Sequence, residues 1–378
     1  MKVLVFLSFK YSFQTWKTNG TFNREILVYE KLAEYYKINF IFVTFGNQND
    51  ITILDELKNP YFKVIPIFTI FKETNNKFKQ FIYSFYIVFK LSYLLKTVDL
   101  VKFIQLSGSW NAIIIKLFYK IPIYIKTGFD NFIFSIKEKR GYIKSVMFYF
   151  LTYLGLFNCS IYAASSQRDV KILKKIYPFV KKSKIVHRPN WVENRNIELT
   201  NNRNINSILM VGRLEEQKNY EFIIETFKNT NFKVHIIGSG TLKNYLLDLA
   251  EEKNCKIQID ENLDYFELLN LMEKYEYFVL SSKFEGNPKV LIEAISRGCI
   301  PLVSNIPNNK EIVKDGVNGY VFELDTSGKK KIIEILSNHS LEENCKMREQ
   351  GRKTIHKNFS FENYIKLELE DYMNIKKY

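Results

Sequence analysis

The sequence predicts an α/β protein with two doubly wound, Rossmann-like domains, and three observations support this. The 378-residue chain is longer than a single hydrophobic core usually supports. Apolar runs typical of strands alternate with helical patterns along the whole chain, which favours parallel sheets. The alternation restarts after a polar, asparagine-rich stretch. We therefore expect domains at 1–187 and 207–357, a linker at 188–206, and a last helix within 358–378.

Each predicted strand is a short apolar run bounded by polar or turn-forming residues. The first half gives strands at Val3–Ser8, Asn39–Thr44, Val64–Ile67, Phe103–Leu106, Ile121–Ile125 and Ser160–Ala163. The second half gives strands at Ser207–Val211, Lys233–Ile237, Lys256–Ile259, Tyr277–Leu280, Pro301–Val303 and Gly319–Phe322. Helical periodicity lies between several of them, for example at Asn23–Tyr36 and Gln167–Tyr177.

Cysteine usage and hydropathy limit the class of protein. The four cysteines are widely spaced and form no C-x-x-C pair, so we expect a reduced, cytoplasmic protein without disulfides or a zinc site. The apolar start of the chain is short and ends at Lys10, which favours a buried first strand over a signal peptide. No run reaches the roughly 18–20 apolar residues of a membrane-spanning helix.

Charge is unevenly distributed along the chain. Residues 1–190 carry 29 basic and 11 acidic side chains, a balance of +18, and the remaining 26 and 29 give −3. The first half therefore predicts an anionic partner. Lysines mix with large aromatic residues at 77–90, and Lys137, Lys139, Arg140 and Lys144 precede another apolar helix. Such segments fit an anionic membrane surface, although they also fit ordinary domain helices. No nucleic-acid-binding motif accompanies them, so nucleic acid is not an expected partner.

The most informative segment is 281–293, where Glu285 and Glu293 lie eight positions apart across a loop and a helix start. We expect a helix to begin here, with Asn287 as its N-cap and Pro288 as its first residue. Gly286 allows close approach of the backbone to a ligand, and the helix start offers N–H donors to an anion. The alternative is ordinary: Glu285 is an exposed loop residue, and Glu293 pairs with Arg297 on a solvated helix face.

A second segment, 211–219, places Arg213 and Lys218 just after an apolar strand. Gly238 follows the next strand, although the third glycine of a G-x-G-x-x-G motif is missing. Ligands of open α/β sheets bind beyond the carboxyl ends of the strands. One ligand could therefore meet Arg213, Gly238 and Glu285, while the alternative for Arg213 and Lys218 is an ordinary charged loop.

These segments resemble retaining glycosyltransferases of family 4. The resemblance rests on the two glutamates of 285–293, on 298–304, on 311–320, and on the Val211–Asn219 segment, which is similar to the donor-diphosphate motif of that family. It covers about residues 185–325 well and the N-terminal half thinly. The resemblance implies the GT-B fold, in which two Rossmann-like domains face each other across a cleft, the first binding the acceptor and the second the donor. It also implies that the last helix, within 358–378, packs back toward the first domain.

The implied reaction is transfer of a sugar from a nucleotide-diphosphate donor to an acceptor hydroxyl, with retention. By resemblance Glu285 contacts the donor sugar and Glu293 the nucleotide ribose, while Arg213 and Lys218 stabilise the leaving diphosphate. The expected donor-binding residues are Gly212, Gly238, Gly286, Asn287, Pro288, Lys289, Val290 and Glu293. No D-x-D motif occurs, so neither a metal ion nor another cofactor is expected beyond the nucleotide-sugar substrate.

The first domain matches the family less well. Members often carry a glycine pair after the first strand, and here Gly20 stands alone. Lys126 and Thr127 follow a strand where many members have a histidine, so Lys126 is a candidate contact of the donor or acceptor. An ordinary strand-to-loop turn is the alternative.

The acceptor expected from the resemblance is a glycan of cell-surface polysaccharide, lipopolysaccharide or capsule synthesis. The basic, aromatic first half of the chain adds the expectation of a lipid-linked acceptor. The enzyme would work in the cytoplasm, on the inner face of the plasma membrane. The alternatives are a GT-B relative that acts as a phosphorylase or nucleotide-sugar epimerase, and a non-catalytic nucleotide-binding module.

Overall fold

The computed structural model describes residues 1–139, 141–194, 202–261, 263–338 and 340–376. The chain divides into two compact units. Unit 1 comprises Met1–Pro189 together with the chain from Ile365 onward, and unit 2 comprises Asn190–Tyr364. Residues 195–201 of the expected linker, Arg140 of the basic segment, and the last two residues of the expected final helix lie outside the described residues.

Within the described part of unit 1, seven parallel strands form one sheet in the order β3-β2-β1-β4-β5-β6-β7. The strands are β1 (Lys2–Phe6), β2 (Asn39–Thr44), β3 (Phe62–Pro66), β4 (Leu100–Ile104), β5 (Ile123–Thr127), β6 (Ile161–Ala164) and β7 (Ile185–His187). The helices are α1 (Phe13–Thr18), α2 (Phe22–Tyr36), α3 (Gln48–Asp55), α4 (Lys77–Lys90), α5 (Ser92–Leu95), α6 (Asn111–Phe118), α7 (Asn131–Lys137), α8 (Tyr142–Asn158) and α9 (Gln167–Ile176).

All six strands predicted for the first half are confirmed, and their ends lie within three residues of the predicted ones. The fourth strand begins at Leu100, earlier than predicted, because the charged Lys102 interrupts the apolar pattern yet is buried in the sheet. The short strand β7 was not predicted, since three residues carry too little pattern to stand out.

Unit 2 repeats the architecture. Its described strands form a parallel sheet in the order β10-β9-β8-β11-β12-β13. They are β8 (Asn204–Val211), β9 (Lys233–Ile237), β10 (Lys256–Asp260), β11 (Tyr275–Leu280), β12 (Ile300–Ser304) and β13 (Tyr320–Phe322), all six predicted. The helices are α10 (Tyr220–Thr226), α11 (Lys243–Glu252), α12 (Tyr265–Met272), α13 (Lys289–Ser296), α14 (Pro307–Lys310), α15 (Thr326–Ser337) and α16 (Leu341–Asn358), and α17 (Phe361–Lys376) continues from unit 2 into unit 1.

Both faces of the unit 2 sheet are buried. Ile208 and Met210 of β8 belong to one apolar cluster, and the alternating Leu209 and Val211 belong to another. Successive side chains of a strand point to opposite faces, so helices must cover both. This double burial explains why the strands appear as continuous apolar runs in the sequence.

Strand order reverses once within each sheet. In unit 1 the chain leaves β1 toward β2 on one side and returns to β4 on the other, and in unit 2 the same change occurs between β8 and β11. The loops that follow β1 and β4, and those that follow β8 and β11, therefore start from neighbouring strands at the carboxyl edge of each sheet. Open α/β sheets bind ligands at this edge, beside the point where the strand order reverses. None of the described helices has the length and apolar content needed to cross a bilayer.

Candidate functional site

The candidate site of unit 2 lies at this reversal point. Arg213 and Lys218 follow β8, and Glu285 follows β11, so the two charged segments leave neighbouring strands. Their adjacency depends on the strand order, because β9 and β10 intervene in sequence and lie on the far side of β8.

An ion pair joins the two segments. The Lys218 ammonium lies 2.7 Å from Oε1 of Glu285, and the hydroxyl of Ser282 donates to the same oxygen at 2.6 Å. The Lys218 and Glu285 side chains are only 13% and 8% exposed. The expectation that Glu285 could be an exposed loop residue is therefore wrong. A buried carboxylate held by two donors has a fixed orientation, as a ligand-binding group requires.

Hydrogen bonds to backbone carbonyls hold the same two loops together. The side-chain amide of Gln217 donates to the Phe284 carbonyl at 2.8 Å, and the Lys283 N–H donates to the Gln217 carbonyl at 2.8 Å. The Ser281 hydroxyl lies 2.9 Å from the Lys218 carbonyl. These bonds position Lys218 independently of its own ion pair.

Arg213 is the exposed member of the group. One of its guanidinium nitrogens lies 3.4 Å from the side-chain oxygen of Gln217. It also acts on the buried Tyr220: burial raises the pKa of that phenol, Glu285 raises it further, and Arg213 opposes both. Tyr220 thus stays a neutral donor between a cation and an anion, and its hydroxyl donates to the Gly212 carbonyl at 2.9 Å.

The glycines at the ends of β8 and β9 allow the two loops to touch. A Cβ at Gly238 would lie 2.0 Å from the Gly212 carbonyl oxygen, and a Cβ at Gly212 would lie 2.9 Å from the Lys218 side chain. The Gly212 N–H donates to the Ile237 carbonyl. The structure therefore brings Gly212 and Gly238 together, and any side chain at Gly238 would push the loops apart.

Helix α13 begins one residue later than predicted. Pro288 is its N-cap and Lys289 its first residue. The prediction that Asn287 caps the helix is wrong, because its side-chain oxygen accepts from the Asn190 N–H at 2.8 Å. The Asn190 side chain in turn donates to the Asn287 carbonyl at 2.6 Å. Asn287 therefore anchors the start of unit 2 beside the helix.

The remaining predicted donor-binding residues lie around this helix start. Gly286 and Pro288 are buried, and the Gly286 carbonyl accepts from Asn308 at 2.6 Å. Lys289 and Val290 are half-buried in the first turn of α13.

Glu293 is buried in α13, with only 3% exposed. The alternative that Glu293 and Arg297 form a solvated helix face is therefore wrong. Arg297 is equally buried, and its guanidinium pairs with Glu273 at 3.1 Å. Glu293 and Arg297 are four residues apart, as predicted, but the ion-pair partner of Arg297 is Glu273, at the C-terminal end of α12.

The predicted residues of unit 1 lie in two places. Lys126 and Thr127 end β5, at the carboxyl edge of the sheet and one strand away from the reversal point. The Lys126 carbonyl accepts from the Gln105 N–H at 2.7 Å. Gly20 follows helix α1 rather than the first strand directly, and its N–H donates to the Lys17 carbonyl. Its φ of 65° suits the turn between α1 and α2.

Three polar residues of the unit 2 site were not predicted: Tyr220, Gln217 and Ser282. The pair Ser281-Ser282 carried a usable signal, since polar residues directly after a buried strand lie at the ligand edge of a sheet. Tyr220 carried none, because an aromatic residue in an amphipathic helix looks like core. Within the described ranges, no group of three or more His, Cys, Asp or Glu side chains could hold a metal ion.

Comparison with known proteins assigns this unit. Residues 193–354 match the model of the family Glycosyl transferases group 1. Unit 2 is a group 1 glycosyl transferase domain. The site described above lies within the matched range of this group 1 domain, as do both loops that form it.

Curated relatives match part of the chain. The chain is 30% identical over 166 residues to the capsular polysaccharide biosynthesis glycosyltransferase CapH of Staphylococcus aureus, which is 40% of this chain and 44% of that protein. It is 33% identical over 125 residues to the N-acetylgalactosamine-N,N'-diacetylbacillosaminyl-diphospho-undecaprenol 4-alpha-N-acetylgalactosaminyltransferase of Campylobacter jejuni, covering 31% and 33%. The matched segments thus span less than half the length of these relatives.

Solved structures match the whole chain. Anabaena Alr3699/HepE, crystallised with UDP and glucose, superposes with a TM-score of 0.73 at 13% identity, covering 99% of this chain and 100% of that one. This likeness confirms the GT-B fold class. Each of the two units contains a Rossmann-like parallel sheet.

Proposed function

We propose that the protein is a glycosyltransferase that moves a sugar from a nucleotide-diphosphate donor to a hydroxyl of a glycan or lipid-linked acceptor. The observation that carries the proposal is the Lys218–Glu285 ion pair at the reversal point of the group 1 domain, with Arg213 beside it. A pair of cations and a fixed carboxylate suit a ligand that has both phosphates and sugar hydroxyls.

Arg213 and Lys218 bind the diphosphate in this proposal. Negative charge grows on the diphosphate as it leaves, and preorganised cations stabilise that charge without reorganising. Losing one such contact typically costs about 2.7–4 kcal/mol of transition-state stabilisation. Because Arg213 and Lys218 neutralise the charge of the diphosphate, we propose that the reaction needs no metal ion.

Glu285 binds the donor sugar. Both described contacts of its carboxylate fall on Oε1. In the proposal, Oε2 of Glu285 accepts hydrogen bonds from hydroxyls of the donor sugar. Glu293 in α13 contacts the ribose of the nucleotide. The backbone of Gly286–Lys289 adds donors at the helix start.

The reaction retains the anomeric configuration, as in family 4. The bond between the anomeric carbon and the phosphate oxygen breaks, and a bond from the acceptor oxygen forms on the same face. The acceptor proton goes to the leaving phosphate oxygen, so no side chain need act as the base.

Unit 1 takes the acceptor, with Lys126 and Thr127 at its carboxyl edge. The relatives named for capsule and diphospho-undecaprenol sugars support an acceptor of cell-surface polysaccharide synthesis. We propose that the protein acts in the cytoplasm at the inner face of the plasma membrane, with its basic unit 1 toward the anionic lipid.

Nucleotide release and acceptor glycosylation test the proposal. A panel of nucleotide sugars is first screened by thermal shift, since a ligand that binds only the native state raises the melting temperature. Transfer is then measured with and without a chelator. Glu285→Gln and Arg213→Ala should each lower transfer by about 10²-fold or more.

Lys283→Ala is the matched control, because Lys283 is an exposed cation in the same loop. It should keep activity near that of the parent protein. Full activity in both Glu285→Gln and Arg213→Ala would contradict the proposed site. Turnover of nucleotide sugar without acceptor would instead indicate an epimerase or a hydrolase, and binding without turnover a nucleotide-binding module.

A further inference from the structure

Helix α8 of unit 1 exposes a continuous row of large apolar side chains. The row consists of Ile143, Met147, Phe150, Leu154 and Phe157, which are 85%, 55%, 57%, 36% and 65% exposed. Their spacing of four, three, four and three residues places them on one face of the helix. The row is about 21 Å long at 1.5 Å per residue.

The opposite face of α8 holds the helix in place, so the exposed row is not a consequence of loose packing. Thr152 is buried, and its hydroxyl donates to the buried carboxylate of Asp130 at 3.1 Å. A Cβ at Gly155 would lie 3.1 Å from Leu106, so the helix packs closely here. A surface helix normally turns its apolar face inward. Here α8 is apolar on the outside as well, and such large exposed patches mark interaction sites.

Cations lie at both ends of the row. Lys144 is exposed beside Ile143 at the first turn of α8. At the other end, the Lys184 ammonium lies 3.5 Å from the Phe157 carbonyl. Lys116 is an exposed cation in the last turn of α6, which packs against α8.

Neighbouring helices extend this surface. Leu117 and Phe118 at the end of α6 are 68% and 69% exposed. The Phe118 ring contacts Phe89 of α4 at a centroid distance of 6.2 Å, and Phe89 is itself half exposed. An apolar groove of about 640 Å³ lies between α7 and the start of α8. Phe132, Ile136 and Val146 contribute to its lining, and Lys139 lies at the same groove.

Charge identifies the partner. The sequence from 139 to 168 contains no acidic residue, and residues 74–138 contain only Asp99, Asp130 and Glu138. Asp99 accepts from the Lys2 N–H, and Asp130 is buried. A second copy docked on the same face would bring lysines against lysines, so self-association is disfavoured. Nucleic acid would match the charge but not a row of Ile, Met and Leu.

We propose that the α8 row inserts into the interfacial layer of an anionic bilayer, with Lys144, Lys116 and Lys184 at the lipid headgroups. Amphipathic helices bury their apolar face about 5–10 Å into this layer, and nearby lysines add electrostatic attraction. The inference deepens the membrane partner of the proposed function, but it depends on α8 and not on sugar transfer. Because the apolar contribution resists salt, binding should persist in part at high ionic strength.

Vesicle sedimentation tests this inference. The probe is a vesicle of phosphatidylglycerol and phosphatidylcholine, at low and high salt. The variant Met147→Ser/Phe150→Ser should lower the partition coefficient by about tenfold or more, since it removes two exposed apolar side chains from the row. Tyr35→Ser is the matched control, because Tyr35 is 62% exposed on α2, which packs on the opposite face of the unit 1 sheet from α8, and it should bind as the parent does.

A second measurement does not depend on loss of binding. Phe150→Trp should gain fluorescence that brominated lipid quenches, whereas the fluorescence of Tyr35→Trp should not be quenched. Equal binding of all serine variants, or absence of quenching at position 150, would overturn the proposal. Binding abolished by salt alone, or a dimer dispersed by the α8 variant without vesicle binding, would also overturn it. Transfer to a short, water-soluble acceptor separates this result from the proposed function, since α8 variants should leave that rate unchanged.

Discussion

Lys218 and Glu285 form an ion pair of 2.7 Å although 67 residues separate them in the sequence. The pair joins the loop after β8 to the loop after β11, and both side chains are largely buried. It therefore has a structural role and, in the proposed function, a catalytic one. These two roles can be measured separately.

Lys218→Met should lower the free energy of unfolding by about 1–3 kcal/mol, because it leaves the Glu285 carboxylate buried without its cation. The double variant Lys218→Met/Glu285→Gln should recover part of this loss. Transfer should stay low in both variants. Urea unfolding and the nucleotide-release assay measure the two effects. If stability and activity recovered together in the double variant, the pair would be structural only.

Gly238→Ala should destabilise unit 2 by clash, since the new Cβ would lie 2.0 Å from the Gly212 carbonyl oxygen. Gly316→Ala is the control: its φ of 71° is also positive, as is the φ of 155° at Gly238, but nothing lies within 4 Å of the added Cβ. Gly316→Ala should cost about 1 kcal/mol and Gly238→Ala clearly more. Urea unfolding measures the free energy of unfolding of both variants. Equal losses would mean that the loops after β8 and β9 move apart easily and relieve the clash.

Lys102 of β4 should be a sensitive position in unit 1. Its ammonium pairs with Glu368 of α17, both side chains are buried, and it lies 4.7 Å from the ring centroid of Tyr29. Lys102→Met should lower the free energy of unfolding by about 3–5 kcal/mol, because it leaves the Glu368 carboxylate buried without its cation. Lys102→Met/Glu368→Gln should be closer to the parent protein.

The exposed pair Lys17–Glu56 is the control for this experiment, with side chains 37% and 58% exposed. Lys17→Met should cost less than about 1 kcal/mol. Similar costs at Lys17 and Lys102, measured by urea unfolding, would contradict the role given to burial.

Stability should fall as the pH drops from about 7.5 to about 5.5. Burial lowers the pKa of His187 in unit 1 and of His356 in unit 2, and nearby arginines lower both further. The unfolded chain then takes up protons at a higher pH than the folded one, so this contribution is present above about pH 6.5 and lost below it. His187→Gln/His356→Gln should reduce the difference between urea midpoints at the two pH values. An unchanged difference would show that other groups control it.

Much of the fold could be predicted because it depends on local pattern. Strands buried on both faces appear as apolar runs, and all twelve predicted strands are present within the described residues. The exceptions have physical reasons. The first residues of β4 were not predicted, because a lysine normally interrupts an apolar strand pattern. Lys102 is buried in this strand because it pairs with Glu368 of α17, which is far away in the sequence. The start of α13 moved by one residue because Asn287 bonds to Asn190 instead of capping the helix.

The sequence by itself determined the residue types of the site and their order: a carboxylate in the loop after one strand, two cations after another, and glycines where the loops touch. Only the tertiary structure decided which of these groups meet, because β8 and β11 become neighbours through strand order and not through sequence. It also decided which apolar residues are covered. The row on α8 has the same composition as a core helix, and burial depends on what packs against a helix, which no local pattern records.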